Sequence, residues 1–234
     1  MSRTTSVQFA AAVIVLSGLV AAAFTGAPPS ATQAFRTTFD VDRASLADRG
    51  RGAYVVLEPG YRLHLQHGRD TLIVTVLDQT RVVDGVTTRI VEERETEGGA
   101  LAEVSRNFFA IDPTTHDLYY FGEEVDEYSG GRITGHGGAW LSGVSGAHFG
   151  LMMPGAPRIG DRYYTEVAPN VAMDRAEVVS VTAALTVAAG TFTNCLQTRE
   201  SSAIERGTED KWYAPGVGLI KDAEFELVKV ERGR

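Results

Sequence analysis

Two stretches decide the fold: residues 74–96, VTVLDQTRVVDGVTTRIVEERET, and residues 179–201, VSVTAALTVAAGTFTNCLQTRES. Both are dominated by Val and Thr, with apolar and polar residues alternating and Gly near the middle. Alternation over short runs of β-branched residues is the pattern of half-buried strands, and the central Gly marks a turn between two of them. Superposed at an offset of 105 positions, Val74 falls on Val179, Val76 on Val181, Val82 on Val187, Gly85 on Gly190, Arg94 on Arg199 and Glu95 on Glu200. The aligned glycines and the Arg-Glu pair point to one hairpin written twice, with Gly85 and Gly190 as its turn glycines.

The likeness spreads outward with small shifts. Upstream, Gly60-Tyr61-Arg62 mirrors Gly160-Asp161-Arg162, and downstream Asn107-Phe108-Phe109-Ala110 mirrors Lys211-Trp212-Tyr213-Ala214. Turn residues recur every 8–12 positions from residue 54 on, and no long stretch there has a helical period with caps. The expected fold class is all-β: two pseudo-repeats, 54–128 and 156–231, of antiparallel meander strands that form a barrel, half-barrel or sandwich. A Gly-rich insert, 129–155, joins them within a single domain, 53–234. It holds nine glycines together with Trp140, His136, His148, Phe149 and the pair Met152-Met153. That is too much apolar surface for a spacer, so the insert is expected to lie across an end or edge of the sheet.

Residues 1–34 have a different composition. Arg3 is their only charge, an apolar run extends from Phe9 to Phe24, and small residues follow. A basic start, a short apolar core and an A-x-A site make a secretory signal peptide, with cleavage after Ala23 or Ala34, and the run is short for a membrane span. Residues 35–52 are polar and read as a flexible linker. The product expected is secreted or extracytoplasmic and, once cleaved, not integral to a membrane. The net charge of −8 argues against nucleic acid as a partner. Cys195 is the only cysteine, which excludes an internal disulfide and suits a small buried side chain.

No motif of an established chemistry is present: no G-x-S-x-G, no H-E-x-x-H, no phosphate loop and no dinucleotide fingerprint. No catalytic residue, metal ligand or cofactor is assigned. His64 and His67 sit three apart, which on a strand sends them to opposite faces. Asp112–Asp117 reads as a turn held by Asp side chains, and Glu123–Glu127 as a solvated strand edge.

Leu57-Glu58-Pro59-Gly60, Tyr119-Tyr120-Phe121-Gly122-Glu123, Ala189-Gly190-Thr191-Phe192 and above all Trp212-Tyr213-Ala214-Pro215-Gly216-Val217-Gly218 resemble a family of uncharacterised secreted bacterial proteins of actinobacterial type. The resemblance spans about 54–222 and carries no assigned activity. More weakly, Gly190-Thr191-Phe192 and the segment Trp212–Gly218 are similar to curved-sheet folds of the lipoprotein-carrier kind, which implies a concave apolar pocket. The function expected is non-enzymatic binding of a small apolar or lipid-like ligand, with Trp140, His136, His148, Phe149, Met152 and Met153 as its contacts. Two alternatives stand beside it: an extracytoplasmic enzyme using His136 or His148 as a base, and an envelope-associated protein-interaction module.

Overall fold

The computed structural model describes residues 34–233; the expected signal peptide lies outside the described residues except for its last position, Ala34. The described residues are all-β apart from one 3-10 turn at Arg43–Ser45. Two short strands, β1 (Gly50–Arg51) and β2 (Val56–Leu57), pair with each other. The first half supplies β3 (Arg62–His67), β4 (Asp70–Val83), β5 (Val86–Glu97), β6 (Ala100–Ile111) and β7 (Leu118–Ser129). The insert forms β8 (Arg132–Gly135), β9 (Trp140–Leu141) and β10 (His148–Met153). The second half forms β11 (Arg162–Tyr164), β12 (Glu166–Val167), β13 (Asp174–Val187), β14 (Gly190–Ser202), β15 (Glu209–Ala214), β16 (Gly218–Asp222) and β17 (Phe225–Glu231).

One antiparallel sheet runs β11-β13-β14-β15-β16-β17-β3-β4-β5-β6-β7-β10-β12, with β8 and β9 also pairing to β7. The halves are joined where β17 pairs with β3, setting Leu227 opposite Leu65 and Val230 opposite Leu63. The two ends of the sheet are consecutive in sequence. β11 pairs with β13 on one side, Thr165 donates its N–H to Asp174 O at 2.8 Å, and β12 pairs with β10 on the other. The segment Arg162–Val167 therefore nearly closes the sheet into a barrel, which removes most of the exposed edge that an open sheet would present. Gly150 permits this: a Cβ there would lie 2.2 Å from Thr165 O, so only a residue without a side chain lets β10 approach the closing segment.

The paired stretches form the two longest hairpins. In the first, Asp84 and Gly85 both have positive φ, 50° and 80°, as the tight turn joining twisted strands requires. In the second, the turn is Ala188-Ala189, and Gly190 is the first residue of β14, opposite Val187. Gly190 is thus one position past the place expected for it, and the structural offset at the turn is 104. Register shifts between Val178 and Leu185 in β13 account for the drift that a gapless comparison cannot follow. The flanking turns do correspond. Gly60 donates to Val76 O at 2.8 Å and Tyr61 to Glu58 O at 3.0 Å; Gly160 donates to Val178 O at 2.9 Å and Asp161 to Arg158 O at 3.0 Å.

The structure places the expected linker, 35–52, against the barrel. Arg36 bridges to Tyr163 and Ala47 to Ile111, and the guanidinium carbons of Arg162 and Arg175 are 4.4 and 4.6 Å from the centre of the Phe35 ring. The firmest anchor is Arg89, 1% exposed. Its Nε donates to Asp48 O at 2.9 Å, its Nη2 to the Asp48 carboxylate, and its Nη1 reaches the carbonyls of Leu77 and Gln79. Those two carbonyls belong to the bulge of β4 between Val76 and Thr80, where the ladder to β5 is interrupted. A buried guanidinium thus satisfies backbone groups that the bulge leaves unpaired and fixes the N-terminal segment in place.

Candidate functional site

Cross-strand neighbours share a face, so the rows of the sheet give the lining of the barrel. Leu63, Val74 and Glu93 are opposite one another on β3, β4 and β5, as are Val76 and Val91. The inward face is apolar toward one end and becomes acidic toward the other. A partly open cavity of about 130 Å³ lies between, lined chiefly by apolar side chains that include Val74, Val76, Val91, Phe109, Tyr213 and Leu219. Tyr54, Val55, Val56 and Leu57 enter it from the N-terminal segment. Their place depends on the anchor at Asp48 and on the bond from Gly216 N to Ala53 O, 2.8 Å.

Three charged residues, Glu93, Lys211 and Asp222, also line the cavity. Lys211 Nζ is 3.2 Å from Glu200, 3.3 Å from Asp222 and 3.6 Å from Glu209. Burial works against its charge, but Asp222 and Glu200 outweigh it and hold the ammonium well above its ordinary pKa. On the opposite wall the carboxyls have no such partner. Burial pushes Glu93 up to about 7, against the attraction of Lys211 and with the repulsion of Asp222. Glu123 is pushed up to about 8 by burial and by the charge of Glu93, with the neighbouring Tyr120 acting against them; the Tyr120 hydroxyl itself donates to Asn107 Oδ1 at 2.5 Å. Burial and the charge of Glu123 raise Glu166 well above the carboxylate range. Among the described residues no cation comes within 4 Å of Glu93, Glu123 or Glu166. Further toward the rim, Glu95 faces Glu103 and Glu103 faces Glu127, and burial with their mutual repulsion lifts Glu95 to about 7.

Tyr163 crosses toward the same cluster. It is 1% exposed, opposite Ala176, which is in turn opposite Glu200. The small Ala176 leaves room for the ring. Burial, then the Glu200 charge, raises its hydroxyl pKa. That hydroxyl has no hydrogen-bond partner, an uncommon condition for a buried O–H.

Of the residues expected to contact a ligand, Met152 and Met153 line the cavity. Phe149 stacks on Phe121 at 5.0 Å and meets Tyr119 edge-on. Trp140, 6% exposed, packs edge-on against Tyr120 at 5.4 Å and borders a separate hollow with Ala147, Ala168 and Val171. His136 is on the surface, with Nδ1 2.7 Å from Val125 O and 3.2 Å from the Asp126 carboxylate. His148 is half-buried, with Nδ1 3.3 Å from Phe149 O. None of these four lines the main cavity. The acidic run Glu123–Glu127 is not a free edge, because β7 pairs with β6 on one side and with β8, β9 and β10 on the other. Its alternation sends Glu123 inward, while Glu124 pairs with Arg81. Asp112 does hold its turn, accepting from the N–H groups of Thr114 and Thr115.

No family model matches the chain, and no curated protein matches it. Among solved structures it is similar to a "putative lipoprotein" from Parabacteroides distasonis ATCC 8503. The identity is 11%, the match covers 78% of this chain and 100% of that one, and the TM-score is 0.37. Among the described residues no helix is long and apolar enough to cross a membrane, and no three His, Cys, Asp or Glu side chains are set to hold a metal ion.

Proposed function

We propose that this chain is an exported, non-enzymatic binding protein that holds a small apolar ligand inside its barrel. The observation that carries the reading is the cavity: an apolar space with a few charged groups at one side, which is the usual build of a small-molecule site. Export rests on the composition of residues 1–34. A volume of about 130 Å³ sets the scale. An engineered apolar cavity of roughly 150 Å³ takes up benzene, so the portion of ligand enclosed is a single ring or a short alkyl chain. Met152 and Met153 suit such a role, since the unbranched thioether adapts to the shape beside it. Met152 is half-buried and Met153 is 3% exposed.

A chemical-shift titration with 1-hexanol tests the reading. The wild-type chain shows saturable shifts at methyl groups of Val76, Val91 and Met152, and Val76→Trp, which fills the cavity, abolishes them without loss of fold. Hexanol that fails to saturate, or shifts these methyls equally in the filled variant, overturns it.

A further inference from the structure

The charges facing the cavity are unbalanced in a way that selects among ligands. Carboxyls crowd this interior: Glu93 and Asp222 line the cavity, Glu123 is in row with Val91 through Asn107, and Glu200 reaches Lys211. The charge of Glu93 bears on Glu123, and that of Asp222 on both Glu93 and Glu200. The one cation among them, Lys211, is already engaged by Glu200, Asp222 and Glu209. Glu93 lines the cavity itself, and Glu123 is on the same face of the sheet, opposite Asn107, which is opposite Val91. A second observation is geometric. Tyr163 is buried in the same row of the sheet as Glu200, with Ala176 between them, and its hydroxyl has no hydrogen-bond partner among the described residues. Buried polar groups without partners are retained at a cost unless something satisfies them.

We propose that the ligand's polar end is a protonated amine, seated against Glu93 and Glu123, with its apolar body in the cavity. This rests on the binding function proposed above and names the ligand class. An ammonium supplies three donors and a positive charge, which is what unpaired carboxyls beside an apolar space lack. A carboxylate ligand meets these carboxyls and finds Lys211 already engaged by Glu200, Asp222 and Glu209. An alcohol gains the apolar contact alone.

Amine binding at this seat carries a proton signature. The groups facing Glu93 are Lys211, Asp222, Glu103 and Glu95; those facing Glu123 are Glu93, Tyr120, Glu103 and Asp174; those facing Glu166 are Glu123, Asp174, Lys211 and Glu200. Near neutral pH part of this set is protonated, and a bound ammonium favours the ionised forms. Amine binding therefore releases protons, and its affinity rises as pH increases from about 6 to about 9, short of the amine's own pKa.

The test is a titration of the full chain with hexylamine, 1-hexanol and hexanoate at pH 7.5, with proton release followed by an indicator dye. Hexylamine is expected to bind at least tenfold more tightly than hexanoate and to release protons, whereas hexanol releases none. The double substitution Glu93→Gln, Glu123→Gln is expected to bring hexylamine to within about twofold of hexanol and to abolish the proton release, with a wild-type near-ultraviolet circular dichroism spectrum showing that the variant is folded. Equal affinities for amine and alcohol in the wild type overturn the head-group inference and leave the cavity reading intact. Tighter binding of hexanoate overturns it in favour of an anion read by Lys211. Saturable binding of none of the three overturns both.

Discussion

Replacing Glu93 with Gln is expected to stabilise the protein, and only at high pH. In the unfolded chain this carboxyl ionises near 4.5; in the fold, burial first and then the repulsion of Asp222, Glu103 and Glu95 outweigh Lys211 and raise it to about 7. Between those two values the folded state keeps a proton that the unfolded state has lost. Stability therefore falls as pH rises through that window and levels off above it. The gap is worth about 3 kcal/mol at roughly 1.4 kcal/mol per unit. Glu93 is only half-buried, so water entering the recess reduces this to about 2 kcal/mol. Glutamine has the same shape and no charge to lose. Urea unfolding from pH 5 to 9 should give coincident wild-type and Glu93→Gln stabilities at pH 5, and a variant more stable by about 2 kcal/mol at pH 8.5. Two curves that stay parallel across the range would refute the placement of Glu93 inside the barrel.

Other outcomes follow from the same contacts. Arg89→Met removes a buried guanidinium from Asp48 and from the bulge carbonyls of Leu77 and Gln79. It should cost about 3 kcal/mol and expose the chain near residue 48 to proteolysis; an uncleaved segment at wild-type stability would show that Arg89 is not its anchor. Gly150→Ala puts a methyl group against Thr165 O. It should cost about 2–3 kcal/mol by overpacking and speed amide exchange on β10 and β12; unchanged exchange there would mean that the barrel is not closed by this segment.

The architecture was readable because its signals are local. Val-rich alternation and the Asp84-Gly85 turn each specify a hairpin without reference to the rest of the chain, and the self-match showed that a hairpin recurs. The register of the second hairpin was not readable, because bulges in β13 displace the turn by one residue. The seat of residues 35–52 was hidden for a different reason. Their polar composition matches a linker, and the residue that fixes them, Arg89, is distant in sequence and belongs to a strand whose arginines are otherwise solvated.

The candidate site was legible in part. Met152 and Met153 stood out as apolar residues beside a glycine-rich run, and they do line the cavity. Trp140 and Phe149 carried the same signal, but aromatic partners in the wall, Tyr120, Phe121 and Tyr119, hold them. The acidic side of the lumen was missed. A signal existed: Glu93 and Glu95 are in phase with Val91, and Glu103 is in phase with Ser105 and Asn107, so the apolar face of each strand turns polar toward one end. Reading that as an interior requires knowing that the sheet curls, and alternation alone does not give curvature.

Native mass spectrometry of the chain isolated from its own cells bears most directly on whether the barrel holds a ligand. The account predicts one discrete additional mass, the size of a small molecule, that leaves on denaturation and is missing from the Val76→Trp form prepared in the same way. The bare chain mass alone under the gentlest conditions, or an adduct retained in the filled variant, would contradict it.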